Sequence, residues 1–364
     1  MSEEEKKKFE EMRLRILNIF KNYFPNELNI YNKYTWKAIH QNENRFVYEG
    51  SAKINNKYNY IVFKEKIIDS ESFNETLKEL YFLILLKNEK YFVNIIDKKY
   101  IVDDEKYKHL FMKFEGNYIN LEMLYKYKYP SAQKMKEIIY QISFGLYILH
   151  FNNIVHNDIK PSNILIDKDY KIKIADFGSA IYRDIYNIND NSYSCTRVYA
   201  PPEFLNGNAR DQKSDMWSLG VMIVELCLET QLFKNNDSKS QILKSILSKF
   251  GINKELSNKE EINYLIYDDN DKYILNRDEF RTQIKDIQKI DDDLIDLVSH
   301  LFVLNPHKRY TAKEVLMSNY LKNYPGNDSF VLSKMKAPMD YKLLMKEMVE
   351  EEFLKNLQIL VNIS

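Results

Sequence analysis

Residues 156–163 read His-Asn-Asp-Ile-Lys-Pro-Ser-Asn, and Asp-Phe-Gly follows at 176–178. Between them, Ile164-Leu165-Ile166 and Lys171-Ile172-Lys173-Ile174 read as short strands. Two carboxylates and a carboxamide at these spacings suit phosphoryl transfer. One Asp holds the attacking hydroxyl, while an Asn and a second Asp hold the metal ions that neutralise nucleotide phosphates. Either triplet alone is a weak signal; both in this order, with strands between them, form a strong one.

The remaining sequence narrows the field by exclusion. Net charge is zero, with 53 basic and 53 acidic residues, so nothing attracts polyanions broadly and a nucleic-acid or membrane-surface role is disfavoured. The apolar run Tyr81 to Leu86 is far short of a bilayer span, and the start Met-Ser-Glu-Glu-Glu-Lys-Lys-Lys carries no apolar signal region. Cys195 and Cys227 are the only cysteines, which gives no disulfide framework and points to a reducing compartment, cytoplasmic or nuclear. The Lys6-Lys7-Lys8 run is too short for an import signal and reads as a solvated helix end.

Periodicity divides the chain. Residues 1–33 form an extension whose apolar positions between 4 and 23 suit one helical face. Strand-like patterns then run from Tyr34 to Lys66, a helix from Ser70 to Leu86, and two strands over 92–114 with a charged turn at 103–105. Helical patterns follow at 132–152, 211–229, 238–250, 291–304 and 311–317, with a polar insertion at 251–290. Residues 321–364 are a second extension with a helix-like stretch from 340 to 361. The pattern is α+β: a small β-rich lobe over 34–115 and a large helical lobe over 116–320.

Strands, then helices, then these two loops resemble a eukaryotic protein kinase of the serine/threonine type, over about residues 34–320. The resemblance implies a bilobal fold, ATP and Mg²⁺ as cofactors, and a protein substrate with a Ser or Thr acceptor. Asp158 matches the catalytic base and Lys160 the γ-phosphate contact; Asn163 and Asp176 match the Mg²⁺ ligands. Lys64, ending the strand Ile61-Val62-Phe63-Lys64, matches the lysine that orients the α- and β-phosphates. A lone strand lysine is ordinarily just solvated; its distance upstream of a helix carrying Glu79 changes that reading. Glu79 matches the glutamate that pairs with the lysine, with Glu75 one turn earlier as the competing assignment. Met112 falls at the gatekeeper position, and Lys113, Phe114 and Glu115 supply the adenine-facing backbone. Pro201-Pro202-Glu203, Arg309 and Asp215 match architectural positions of the family: the end of the activation segment, the arginine that pairs with its glutamate, and the buried helix that steadies the catalytic loop. Thr196-Arg197-Val198-Tyr199 before Pro202-Glu203 is similar to the CMGC group of cyclin-dependent, mitogen-activated, glycogen synthase and Clk-type kinases.

Two features depart from the family. Its Gly-x-Gly-x-x-Gly, ahead of Val47, falls here on His40, Asn42 and Arg45. Glycine serves there because the backbone must approach phosphates without a Cβ in the way. His40 or Arg45 contacting phosphate through its side chain is the expectation that replaces it. Asn157 stands where most such kinases carry the arginine that reads an activation-segment phosphate. Arg197 is then the natural partner for a phosphate on Tyr193, with Ser192, Ser194 and Thr196 as rival sites. The same fold can also serve as a pseudokinase scaffold, and the resemblance leaves room for a regulatory protein partner.

Overall fold

The computed structural model describes residues 14, 18, 21, 34–41, 45–54, 56–68, 72–103, 107–127, 129–183, 196–208, 210–234, 237–249, 266 and 291–325. Almost all of the 4–23 helix and the 251–290 insertion, and all of the 340–361 stretch, lie outside these residues, as do Asn42 and Tyr193. The described chain forms two compact units. One holds described residues up to Glu89 and Val93–Tyr118; the other holds Lys90–Phe92 and residues from Ile119 onward.

The described residues of the first unit include an antiparallel sheet and the helix that follows its third strand. Strands β1 (Thr35–Gln41), β2 (Arg45–Ile54), β3 (Lys57–Ile68), β4 (Ile95–Asp103) and β5 (Tyr107–Glu115) are ordered β1-β2-β3-β5-β4. Strand β2 shows period-two burial, with Phe46, Tyr48, Gly50 and Ala52 on its buried side. Gly50 is required by contact: a Cβ there would lie 2.8 Å from the Trp36 ring. Across the sheet, Tyr48 pairs with Phe63, whose ring stacks 5.5 Å from Phe111. Val47, Lys64 and Met112 are direct cross-strand partners and so share the opposite face, as do Arg45, Lys66 and Leu110 one step along. Helix α1 (Phe73–Leu85) buries every residue from Thr76 to Leu83.

The second unit is mainly helical. It contains α2 (Leu121–Tyr127), α3 (Ala132–Phe151), α4 (Pro202–Leu205), α5 (Gln212–Leu228), α6 (Lys239–Lys249), α7 (Asp292–Leu301) and α8 (Ala312–Met317). Small ladders join β6 (Ile119–Asn120), β8 (Ile164–Ile166) and β9 (Ile172–Ile174), and pair β7 (Ile154–Val155) with β10 (Ile181–Tyr182). The five helices expected from periodicity each coincide with an observed helix to within a turn. Side chains start several of them: Ser131 on α3, Asp211 with Ser214 on α5, and Thr311 with Glu314 on α8. Helix α5 is buried on all sides from Ser214 to Cys227, as befits a core helix. Its Trp217 stacks 4.3 Å from Phe302. Among the described residues, no helix is long and apolar enough to cross a membrane.

Candidate active site

In the second unit, α3, β7, the 156–163 loop, the β8–β9 hairpin and the 175–179 loop run in succession, so one continuous segment carries Asp158, Lys160, Asn163 and Asp176. Gln141 of α3 holds the hairpin turn from both sides, donating to the Tyr170 carbonyl at 2.7 Å and accepting from Ile172 N–H at 3.2 Å. The Asp167 carboxylate accepts from the N–H groups of Asp169 and Lys171, closing the same turn. Gly145 lets α3 approach β9, since a Cβ there would meet Ile174 at 2.6 Å.

The loop hangs from Asp215, in the first turn of α5 and 1% exposed. Its two oxygens accept from the N–H groups of His156 and Asn157, each at 2.9 Å, and Oδ2 lies 2.9 Å from His150 Nε2. Burial opposes ionisation of Asp215, but the two histidines outweigh it and hold the carboxyl below the ordinary Asp range. His156 Nδ1 accepts from Asp158 N–H at 3.3 Å, and Nε2 faces the Ala175 carbonyl at 3.1 Å, which ties the two loops together. Asn157 occupies φ 66°, a left-handed conformation that Asn tolerates better than most residues. Its amide donates to the Ser179 carbonyl at 3.1 Å.

Asp158 and Lys160 remain partly exposed within this buried frame. Asp158 Oδ2 accepts from Lys160 Nζ at 2.6 Å and from Asn163 Nδ2 at 3.0 Å; Oδ1 accepts from Thr196 N–H at 3.0 Å. Lys160 also donates to the Thr196 hydroxyl at 2.7 Å. Asn163 uses its amide N–H groups on Asp158, which leaves its carbonyl as a hard oxygen donor. Asp176 turns the backbone at φ 66°, and the next residue, Phe177, is fully buried against Phe92 and His156. The sequence offers Thr196 as a rival phosphosite; in the structure its hydroxyl and N–H are both engaged by the Asp158–Lys160 pair. Arg197 is exposed.

In the first unit, Lys64 pairs with Glu79 Oε1, both nearly fully buried. Glu79 Oε2 lies 2.8 Å from Lys66, and Glu75 reaches Lys66 at 3.4 Å. Of the two glutamates that compete in the sequence, Glu79 takes both Lys64 and Lys66, and Glu75 reaches Lys66. Met112 is fully buried beside Lys64; Phe114 lies across from Val62, and Glu115 is exposed and accepts from the Asn94 amide at 3.2 Å. His40 lies at the end of β1 opposite Val47, after a register irregularity at 38–40. Arg45 opens β2 opposite Lys66.

Away from the reacting groups, Arg309 makes a bidentate pair with Glu203 at 2.9 and 3.1 Å and donates to the carbonyls of Val303, Leu304 and Lys213. Tyr199 donates to Glu225 at 2.7 Å, and Glu225 accepts from Leu232 N–H at 2.9 Å. No sequence motif points to the contacts made by Lys66, Gln141, His150, Thr196 and the Tyr199–Glu225 pair. Lys66 alone has a legible signal, because period-two alternation puts it on the face of Lys64.

A protein kinase domain model matches residues 47–321. The chain belongs to the protein kinase family. The match begins at Val47, after the three positions where glycines would stand. The chain is similar to extracellular signal-regulated kinase 7 of Drosophila melanogaster, 32% identical over 198 residues, 51% of this chain and 21% of that protein. It is also similar to mitogen-activated protein kinase 15 of Xenopus laevis, 29% identical over 74% of this chain and 47% of that protein. A third relative is the CTD kinase subunit alpha of Saccharomyces cerevisiae, 29% identical over 68% of this chain and 47% of that protein. These names fall in the CMGC group to which the Thr-Arg-x-Tyr segment points. The chain spans about half the length of these relatives or less.

Proposed function

We propose that this kinase domain is an active, ATP- and Mg²⁺-dependent serine/threonine protein kinase. The observation that carries the reading is the Asp158–Lys160–Thr196 cluster, with Asn163 bonded to the same carboxylate. Mg²⁺–ATP supplies the transferable γ-phosphoryl group and the charge neutralisation that transfer needs. Asp158 orients the acceptor hydroxyl and takes its proton. Lys160 spans Asp158 and Thr196 and presents a cation to the transferring group. The carboxylate of Asp176 and the carbonyl of Asn163 suit Mg²⁺, which takes one or two protein oxygens and completes its shell with phosphate oxygens and water. Lys64, held by Glu79, orients the α- and β-phosphates, while Met112, Phe114, Glu115 and Val47 line the adenine side. Arg45 and His40 take over phosphate contact from the missing glycines.

The absent glycines are the observation that favours a binding-only pseudokinase. Against it, each ionic position required for transfer is filled. Phosphorylation of a generic protein substrate by the purified chain tests the reading, with Asp158→Asn as control. Wild-type incorporation no greater than that of Asp158→Asn would overturn it. A thermal shift with ATP that depends on Mg²⁺ measures nucleotide binding independently.

For regulation, we propose that a phosphate on Tyr193 pairs with Arg197. Peptide mapping after incubation with Mg²⁺–ATP, beside Tyr193→Phe kinetics, tests it; an unmodified Tyr193 with an undiminished rate in the variant would sink it. A Ser- or Thr-bearing protein substrate, a regulatory protein partner and a cytoplasmic or nuclear location complete the proposal.

A further inference from the structure

Two lysines of β3 share one glutamate of α1. Period-two spacing puts Lys64 and Lys66 on one face of the strand, and i, i+4 spacing puts Glu75 and Glu79 on one side of the helix. The two rows meet: Glu79 Oε1 takes Lys64, Glu79 Oε2 takes Lys66 at 2.8 Å, and Glu75 takes Lys66 at 3.4 Å. Lys66 is 5% exposed and stands beside the buried Leu110 across the ladder. We propose that Lys66 is a second positioning residue for phosphoryl transfer, a latch that keeps Glu79 and α1 seated on the sheet while Lys64 turns its charge toward nucleotide phosphates. This deepens, and rests on, the kinase reading.

A single ammonium between a carboxylate and a phosphate serves two anions. With Lys64 alone, nucleotide binding would weaken the grip on Glu79, and a buried carboxylate that loses its cation is costly. Lys66 removes that competition, because each oxygen of Glu79 has its own ammonium. Burial pulls the Lys66 pKa down and the like charge of Arg45 adds to that, but Glu79 and Glu75 outweigh both, so the residue stays charged. Glu75, one helical turn away, gives the latch a second point of attachment.

The test uses the full chain, with Lys66→Met, which keeps length and removes charge, and Lys66→Arg, which keeps charge. The readouts are kcat and KM for ATP well below the unfolding temperature, and amide hydrogen exchange over residues 73–85 without nucleotide. For Lys66→Met, kcat should fall about tenfold, as expected when a group is misplaced from a distance, and the α1 amides should exchange faster. Lys66→Arg should recover most of both. A structural contribution alone would lower the unfolding temperature and leave kcat in place. Wild-type kcat together with wild-type protection of α1 in Lys66→Met would overturn the latch. Should Lys66→Met fail to fold, Lys66→Gln takes its place, with the same readouts and the same overturning result. The exchange measurement needs no catalysis. A wild-type chain without transferase activity would sink the kinase reading, and the latch would be judged on α1 protection.

Discussion

The two units hold their functional groups by opposite means. In the first, the Lys64 ammonium is held by charge: a carboxylate from one helix meets two ammonium groups from one strand. In the second, Asp158 stands on a loop fixed by backbone donors, which are themselves fixed by the buried Asp215. The outer frame there is anchored by Arg309, whose guanidinium serves Glu203 and three carbonyls. Charge-to-charge positioning can be re-paired as charges arrive and leave. Backbone positioning cannot, because N–H directions follow the chain. In the proposed kinase reading, a group that must change partners in each turnover is better held by the first device, and one that must keep a fixed angle to the acceptor by the second.

The sharpest way to break this comparison is Asp158→Asn. Asp158 sits at the rim of its frame, so its loss should lower kcat by about 10²–10⁴-fold, the usual contribution of a general base, and leave nucleotide affinity and unfolding temperature close to wild type. Denaturant unfolding or steady-state kinetics checks each half; a large loss of stability would show that Asp158 is part of the frame. Next comes Arg309→Met, which strands the buried Glu203 and should cost about 3–5 kcal/mol in denaturant unfolding.

A smaller effect is expected at the Tyr199–Glu225 pair. Tyr199→Phe removes one hydrogen bond and should cost about 1 kcal/mol. Burial pushes the Glu225 carboxyl up, against the pull of Leu232 N–H and the Tyr199 hydroxyl. A raised carboxyl binds its proton more tightly folded than unfolded, so its contribution is present at acid pH and lost as pH rises through the folded pKa. Glu225→Gln should therefore gain on wild type in stability as pH goes from about 4 to about 7, and a flat difference across that range would contradict the assignment. Last is Glu75→Gln. Glu75 is half exposed and its ion pair is long at 3.4 Å, so unfolding should change by less than about 1 kcal/mol. An equal loss for Glu75→Gln and Arg309→Met would erase the contrast between the two units.

Much of the fold is legible in periodicity. The strands over 34–66 and 92–114, the helix ending at Leu86 and the five later helices all show runs long enough for a repeat to register. Helix α2 and the two-residue strands β6, β7 and β10 give no such signal, because elements this short have no period; backbone pairing with distant segments makes the strands. At the site, the motif spacing locates Asp158, Lys160, Asn163 and Asp176, since these lie on one continuous loop–hairpin–loop segment. It leaves Glu75 and Glu79 as rivals, because residues four apart on a helix face the same way. It leaves Thr196 among the rivals of Tyr193 for modification, since nothing local ties it to Lys160, 36 residues earlier.

What the sequence determined by itself, then, was which residue types stand at which spacing: the order of strands and helices, the candidate site side chains, and the loss of glycine at His40, Asn42 and Arg45. Those are properties of neighbours in the chain. The tertiary structure decided which glutamate each lysine takes, that Asp215 holds the loop by its N–H groups, and that Thr196 closes on Asp158. These contacts join residues far apart in sequence. Their partners are chosen by which faces pack together, and no local pattern encodes that.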